Sequence, residues 1–347
     1  STSLETTLKK ISLTSDQKNS ISKICSSLDQ NKFEPFLLHG VTGSGKTEVF
    51  IEAARHAIKQ GKSVVVLLPE ISTTPQIAGR FKTVFGDVVA VWHSKLSKSS
   101  RAWIWRKICE GEFKIIVGAR SAIFTPLKNL GLIIVDEEHE QTYKQFEPSP
   151  RYHARDSSLI LANIHNSKVL LGSATPSIES YFNCEESNKF SLVELNERYG
   201  NIELPKINIV DLSKKIRTAN MHGLFSDTLL KNISDTVERN KQVILFQNRR
   251  GYSPVLECNN CGYSPRCVNC DVSLTYHYSK NILRCHYCGY NEKTHSTCHK
   301  CQSKDFLSKG FGTEQVEIEL KGFFPDLKVI RLDHDTTRGK KSFKKII

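Results

Sequence analysis

The sequence predicts an α/β fold, a sheet of parallel strands with helices on both faces. Three observations predict it. Four short apolar runs, Val64-Val65-Val66-Leu67-Leu68, Lys114-Ile115-Ile116-Val117, Leu132-Ile133-Ile134-Val135 and Lys168-Val169-Leu170-Leu171, are continuous rather than alternating. A strand covered on both faces reads this way, because neither row of side chains meets water. Helical patterning alternates with the runs near 75–85, 97–110 and 153–166, the rhythm of crossover connections. A further strand, Phe36-Leu37-Leu38, runs into a glycine-rich turn. A helix follows from about Glu48 to Gln60, with Phe50, Ala53, Ala54, Ala57 and Ile58 at helical spacing.

The other elements follow in chain order. Residues 1–32 are a polar segment with one helix, Gln17 to Leu28, which Ser15 or Asp16 could cap. Residues 33–189 hold the α/β lobe. Residues 190–240 carry a weaker pattern and form a linker region, with Ser213 to Asn220 as a loop. The run Lys241-Gln242-Val243-Ile244-Leu245-Phe246 opens a second α/β unit. That unit breaks at a cysteine-rich block, resumes at Gly310 and continues into a strand at Leu327-Lys328-Val329-Ile330-Arg331-Leu332. Segments 241–257 and 302–347 therefore make a partial second lobe, with 258–301 inserted into it.

The chain has 347 residues, too many for one core at roughly 100–200 residues per domain. Its 39% hydrophobic and 24% charged composition is that of a globular protein and argues against wholesale disorder. No run approaches the roughly 20 apolar residues of a membrane helix, and the polar first thirty residues lack a signal-peptide core. A cytoplasmic, nucleoid-associated protein without a membrane partner is the expectation. The net charge of +13 suggests a polyanionic partner, most often nucleic acid. The only methionine is Met221 and the chain ends in SFKKII, so a fragment of a longer product is expected.

Gly40-x-x-x-x-Gly45-Lys46-Thr47 has the P-loop spacing, between a strand and a helix as that motif requires. Its glycines, Gly40, Gly43 and Gly45, let backbone N–H groups curl around phosphate oxygens, and the helix N-terminus adds positive dipole. Lys46 would reach the β- and γ-phosphates of ATP, and the Thr47 hydroxyl would ligate Mg²⁺. An acidic group, Asp136-Glu137-Glu138-His139, ends the apolar run 132–135 and so falls at the carboxyl edge of the sheet. There Asp136 would hold Mg²⁺ through water and Glu137 would orient the attacking water.

Eight of the eleven cysteines lie between 258 and 301, as four C-x-x-C pairs. They can supply two tetrahedral Cys₄ zinc sites. Val272, Leu274 and Tyr276 alternate, a turn falls near Ser279-Lys280-Asn281, and Ile282 and Arg284 alternate again. Such a hairpin would bring Cys285 and Cys288 beside Cys267 and Cys270 as one site. The outer pairs, Cys258/Cys261 and Cys298/Cys301, would then share the other ion; sequential pairing is the alternative. With few large apolar residues in the block, metal must supply much of its folding energy.

Gly172-Ser173-Ala174-Thr175-Pro176, taken with the acidic box, resembles the superfamily 2 helicases and translocases. Further segments narrow the resemblance: Leu68-Pro69-Glu70-Ile71, His93-Ser94-Lys95-Leu96-Ser97, Gly118-Ala119-Arg120-Ser121, Tyr143-Lys144-Gln145, Arg151-Tyr152-His153-Ala154-Arg155-Asp156 and Gln247-Asn248-Arg249-Arg250-Gly251-Tyr252. With the cysteine block they resemble the PriA family of bacterial primosomal helicases, from about Leu13 to Arg338. The resemblance implies two RecA-like lobes and an ATP-dependent 3′→5′ DNA helicase that recognises stalled forks and restarts replication. It also implies primosome and single-strand-binding proteins as partners, and the nested zinc pairing. By position, Gln17 would contact adenine, and Ser173, Ala174 and Thr175 would couple the nucleotide site to the DNA track. Tyr143, Phe146 and Tyr152 fall in an aromatic-rich DNA-coupling loop, with ordinary packing as the alternative for each ring. His93, Arg120, Arg249 and Arg250 are candidate DNA contacts.

The late arginine-finger motif of that superfamily, Gln-x-x-Gly-Arg-x-Gly-Arg, is not in the sequence, so poor hydrolysis by this chain alone is expected. Two other readings stand beside this one. Another superfamily 2 translocase would share the P-loop and acidic box but lack the eight-cysteine insertion. A helicase remnant that only binds ATP, DNA and zinc would share everything except turnover.

Overall fold

The continuous apolar runs become the middle of a parallel sheet. The computed structural model describes residues 12–69, 74–93, 96–203, 205–247, 255–277, 281–285, 287–309 and 312–332. The chain divides into two units, Ser1–Pro205 and Lys206–Ile347.

In the first unit the order is α1 (Ser15–Leu28), β1 (Glu34–Gly40), α2 (Lys46–Lys59), β2 (Ser63–Leu67), α3 (Thr74–Phe85), β3 (Val89–Trp92), α4 (Lys98–Glu110), β4 (Ile115–Gly118), β5 (Leu130–Asp136), α5 (Ala154–Ile164), β6 (Lys168–Ser173), α6 (Ile178–Glu185) and β7 (Ser191–Leu195). The seven strands pair in the order β3-β4-β2-β5-β6-β1-β7, every pair parallel. Alternate side chains of each strand enter opposite layers. Phe36, Leu38, Val64, Val66, Leu132 and Ile134 pack on one face with Phe50 and Ala54 of α2. Leu37, Val65, Leu67, Ile133, Val135 and Leu171 pack on the other with Ile104 and Ile108 of α4.

Three expectations are corrected here. The lobe does not begin at 33, because Ile24 and Leu28 of α1 belong to its core. Nor does it end at 189, because β7 pairs with β1 from Phe36↔Ser191 to Gly40↔Leu195. The cap of α1 is Thr14, whose hydroxyl accepts the Gln17 N–H while the Gln17 side chain takes the Thr14 N–H. This reciprocal capping box satisfies two otherwise orphaned donors.

In the second unit come α7 (Leu212–Arg217), β8 (Met221–His222), β9 (Phe225–Ser226), α8 (Asp227–Glu238), β10 (Val255–Cys258), β11 (Thr275–His277), β12 (Ile282–Arg284), β13 (Asn291–Lys293), β14 (Phe306–Lys309) and α9 (Thr313–Phe323). The stretch expected as a loop at 213–220 is therefore partly helical. Helices α8 and α9 share a small core of Phe225, Ile233 and Leu320. The runs 241–246 and 327–332, expected as strands, have no strand pairing among the described residues. Each instead lays one residue, Leu245 or Val329, on the α8–α9 core. Ile244 stays 93% exposed and Phe246 88%. An apolar run becomes a strand only with a hydrogen-bonded neighbour, and neither run has one among the described residues. No helix among the described residues is long and apolar enough to cross a membrane.

Gly172 sits at the middle of the first sheet, opposite Leu38 on one side and Asp136 on the other. A Cβ there would enter the Phe50 ring. Gly172→Val is therefore expected to lower stability by about 1–3 kcal/mol through overpacking, read as an earlier midpoint in urea unfolding.

Candidate active site and metal centres

The phosphate loop starts where β1 stops. Gly43 (φ 81°) and Gly45 (φ 82°) lie in the left-handed region, which glycine enters without steric cost. A side chain at position 45 would also collide with the Gln17 amide. The loop is held by backbone and side-chain bonds on several sides. The Val41 N–H donates to the Leu195 carbonyl at 3.1 Å and the Tyr199 N–H to the Gly43 carbonyl at 2.9 Å. Arg198 Nε donates to the Thr42 carbonyl at 2.9 Å. Sequence reasoning missed Arg198 and this turn, since their only signal is a position just after β7.

Gln17, the residue expected to contact adenine, lies against the phosphate loop. It is 1% exposed, its Oε1 accepts the Thr14 N–H at 2.9 Å, and its Nε2 donates to the Ser44 carbonyl at 2.8 Å. It braces the loop. The remaining features fit a bound phosphate. The Ser44 hydroxyl is buried with no hydrogen-bond partner among the described residues. Lys46 Nζ, at the first turn of α2, donates to the Gly40 carbonyl at 3.0 Å, and Thr47 follows it.

Asp136 ends β5, and β6 separates that strand from β1. At 4.7–4.9 Å per strand the two ends are about 10 Å apart, room for a phosphate and its cation. Burial raises the Asp136 carboxyl to about 6, and the neighbouring Glu137 adds to this, while the Lys46 charge and the Glu137 N–H pull it down. The Lys46 charge thus reaches Asp136 across the end of β6. Glu137, in the left-handed region at φ 47°, turns away from the strand. Glu138 is fully buried. It accepts from Ser177 N–H at 2.7 Å, Ser180 Oγ at 2.9 Å and Arg155 Nη1 at 3.0 Å. His139 Nδ1 is hydrogen-bonded to Ser173 Oγ at 2.7 Å, and that oxygen accepts the Thr175 N–H at 2.9 Å. The acidic box and the Ser173-Ala174-Thr175 segment are therefore one bonded cluster.

The aromatic candidates divide. Tyr143 is 1% exposed, and its one hydroxyl proton is shared between the carbonyls of Asp136 at 2.6 Å and Leu67 at 3.1 Å. It fastens the end of β5 and has no face for a base, which corrects its reading as a DNA contact. Phe146 is 67% exposed. It lines an open depression with Arg120, Lys144, Glu147 and Arg151. Arg120 Nη1 also donates to the Thr142 carbonyl at 3.2 Å. Tyr152 is half-buried, with its ring edge on Phe124 at 4.8 Å. His93 follows β3 directly, at the same edge of the sheet. Arg249 and Arg250 lie outside the described residues.

In the second unit the cysteines form two quartets, Cys258/Cys261/Cys298/Cys301 and Cys267/Cys270/Cys285/Cys288, each with its sulfurs within 4.8 Å of one another. This is the nested pairing, and the hairpin β11–β12 that produces it pairs Thr275 with Arg284. Sulfur separations are 3.5 Å (Cys258–Cys301), 3.6 Å (Cys261–Cys298) and 3.5 Å (Cys267–Cys288). A tetrahedron with Zn–S bonds of 2.3 Å has edges of about 3.8 Å, whereas a disulfide needs about 2.05 Å. Each C-x-x-C repeats one turn: the first cysteine's N–H donates to the carbonyl five residues on, and its own carbonyl accepts from four residues on. That fourth residue is left-handed in every case: Gly262, Asp271, Gly289 and Gln302. The Tyr290 N–H, directed at the Cys288 sulfur, is the largest influence holding that thiol down at about 6. These are two zinc sites with all four positions filled by protein.

Together the parallel sheet, the phosphate loop and the bonded acidic box define a P-loop lobe of the helicase type. A family model for DEAD/DEAH box helicases matches residues 14–183, and one for the PriA DNA helicase Cys-rich region (CRR) domain matches residues 267–293. The chain is 44% identical over 335 residues, 96% of its length, to the replication restart protein PriA of Bacillus subtilis (strain 168), of which it covers 41%. It is 43% identical to PriA of Chlamydia pneumoniae, over 96% of this chain and 44% of that one. A structure of RecG bound to a three-way DNA junction is similar with a TM-score of 0.46 at 20% identity, over 66% of this chain and 28% of that one. Along 96% of its length the chain is thus homologous to replication restart proteins of the PriA type. It spans about two fifths of the length of these curated relatives.

Tyr143→Phe should leave the fold intact but cost about 1–3 kcal/mol by orphaning buried carbonyls, measured by chemical denaturation. The purified chain should hold two zinc ions, and Cys301→Ser should reduce this to one by emptying the outer quartet, counted by colorimetric metal release.

Proposed function

We propose that the chain is the nucleotide-hydrolysing part of a 3′→5′ DNA helicase that recognises stalled forks and restarts replication; the relatives' name, replication restart protein, supports the last of these. The observation that carries this reading is that the phosphate loop after β1 and Asp136 at the end of β5 flank the carboxyl end of β6. The triphosphate of ATP lies between them in this reading. Lys46 and the loop N–H groups bind its oxygens, Thr47 and Asp136 hold Mg²⁺, and Glu137 orients the attacking water. Mg²⁺ supplies charge neutralisation on the phosphates. Gln17 acts on the nucleotide through the Ser44 carbonyl it holds, and through the loop that carries it.

Single-stranded DNA passes over Arg120, Lys144, Arg151 and the exposed Phe146, with His93 and Tyr152 as further contacts; Arg249 and Arg250 are separate candidate DNA contacts. The His139–Ser173–Thr175 cluster then links that surface to the water-orienting Glu137. The zinc module at 258–301 serves strand separation and contact with primosome and single-strand-binding proteins, between the segments 241–257 and 302–347.

Lys46→Ala is expected to weaken binding of a fluorescent ATP analogue by about 10- to 100-fold, the loss of one charged hydrogen bond. Glu137→Gln should keep that binding and remove the weak phosphate release expected of this chain alone. Unchanged nucleotide affinity in Lys46→Ala would remove the basis of this reading.

A further inference from the structure

We propose that the carboxyl end of β3 and the first turns of α4 form a nucleobase-stacking site for single-stranded nucleic acid. The proposal rests on the DNA-binding reading above and adds a site to it. The site is a depression of about 330 Å³ lined by Trp92, Lys98, Arg101, Ala102 and Trp105. Trp92 closes β3 and, at 7% exposed, is the floor; Trp105 stands beside it with 43% of its surface in water. The two rings are 6.0 Å apart at 48°. The Arg101 guanidinium lies 6.0 Å from the Trp92 ring centroid. Lys98, Arg101, Ala102 and Trp105 recur at the spacing that places side chains on one helix face.

The charges around this pocket favour a polyanion. Among the described residues no carboxylate lines it. The acids at the far end of α4, Glu110 and Glu112, are engaged by Arg106 and Lys107. The pocket therefore has an aromatic floor and a cationic rim. Burial of apolar area does not explain Trp105, since its indole is left nearly half in water beside two cations. A base stacked on it would cover that face whatever its identity, because every base has a π-face. Lys98 and Arg101 would meet the flanking phosphates.

Position in the sheet supplies the second argument. Trp92 pairs with Gly118 at the ends of adjacent strands, and the Ala119 N–H donates to the Trp92 carbonyl at 3.3 Å. Arg120, which lines the Phe146 depression, is the next residue. The two aromatic and basic depressions therefore open beside neighbouring strand ends, and one strand of nucleic acid can run from one to the other. The phosphate loop lies five strand steps away along the sheet, about 24 Å, so this is not part of the nucleotide site.

The test uses the chain's own fluorescence, since its three tryptophans are Trp92, Trp103 and Trp105. A short oligothymidylate should quench their emission. Trp105→Leu should abolish most of the quenching and weaken oligothymidylate binding by about 5- to 150-fold, the range for losing one ring–base stack. Trp105→Phe, which keeps a ring, should restore affinity, and both variants should bind the ATP analogue normally. Should Trp105→Leu lose the analogue as well, the Phe variant decides: restored oligothymidylate affinity supports the site and unrestored affinity overturns it. Unchanged affinity in Trp105→Leu, with loss in Phe146→Ala, would overturn this site and leave the DNA-binding reading standing. Failure of the unmodified chain to bind oligothymidylate would overturn both.

Discussion

Strand β6 is hydrogen-bonded on one side to the strand that ends in Asp136 and on the other to the strand that ends in the phosphate loop. Both registers run through Gly172, where the α2 ring of Phe50 occupies the space a side chain would need. A slip of either pairing would turn apolar rows of a doubly covered sheet toward the wrong layer, so the registers are strongly specified. The distance between Lys46 and Asp136 is in this sense a property of the core. The polar groups near it add orientation: Tyr143 fastens the backbone at Asp136, and the buried Glu138 ties the same corner to Arg155, Ser177 and Ser180.

The second unit is built on other terms. Its three-stranded sheet has strands of three residues each, and its apolar centre, Leu274 and Leu283, is flanked by Cys267 and Cys285. So little apolar area cannot balance the entropy of ordering the chain. Metal bonds supply the difference, as they do in small zinc-dependent modules. The sheet lobe and the cysteine module thus depend on different solution conditions, the first on exclusion of water and the second on available zinc and reduced thiols.

Much of this could be read from the residues because two signals are local. Continuous apolar runs marked β2, β4, β5 and β6, and the P-loop and C-x-x-C spacings marked chemistry that needs few residues close together. What escaped was non-local. β3 and β7 are short, and β7 mixes Glu194 among its apolar residues, so neither stands out without its neighbour. Tyr143 looked like a DNA-facing ring because it lies in an aromatic segment; only the fold places its hydroxyl beneath Asp136. Gln17 has the right spacing for a cap and for a ligand contact, and the sequence does not distinguish them. The runs at 241–246 and 327–332 show the converse error, since apolar content alone does not supply a pairing partner.

The left-handed residue that closes each cysteine turn differs among the four. It is glycine after Cys258 and Cys285, but Asp271 and Gln302 after Cys267 and Cys298. A side chain in that conformation costs roughly 1–2 kcal/mol that glycine does not incur. Each quartet therefore joins one relaxed loop to one held under tension. The glycine half of each quartet is the one whose backbone reaches the metal-ready shape at the smaller conformational cost.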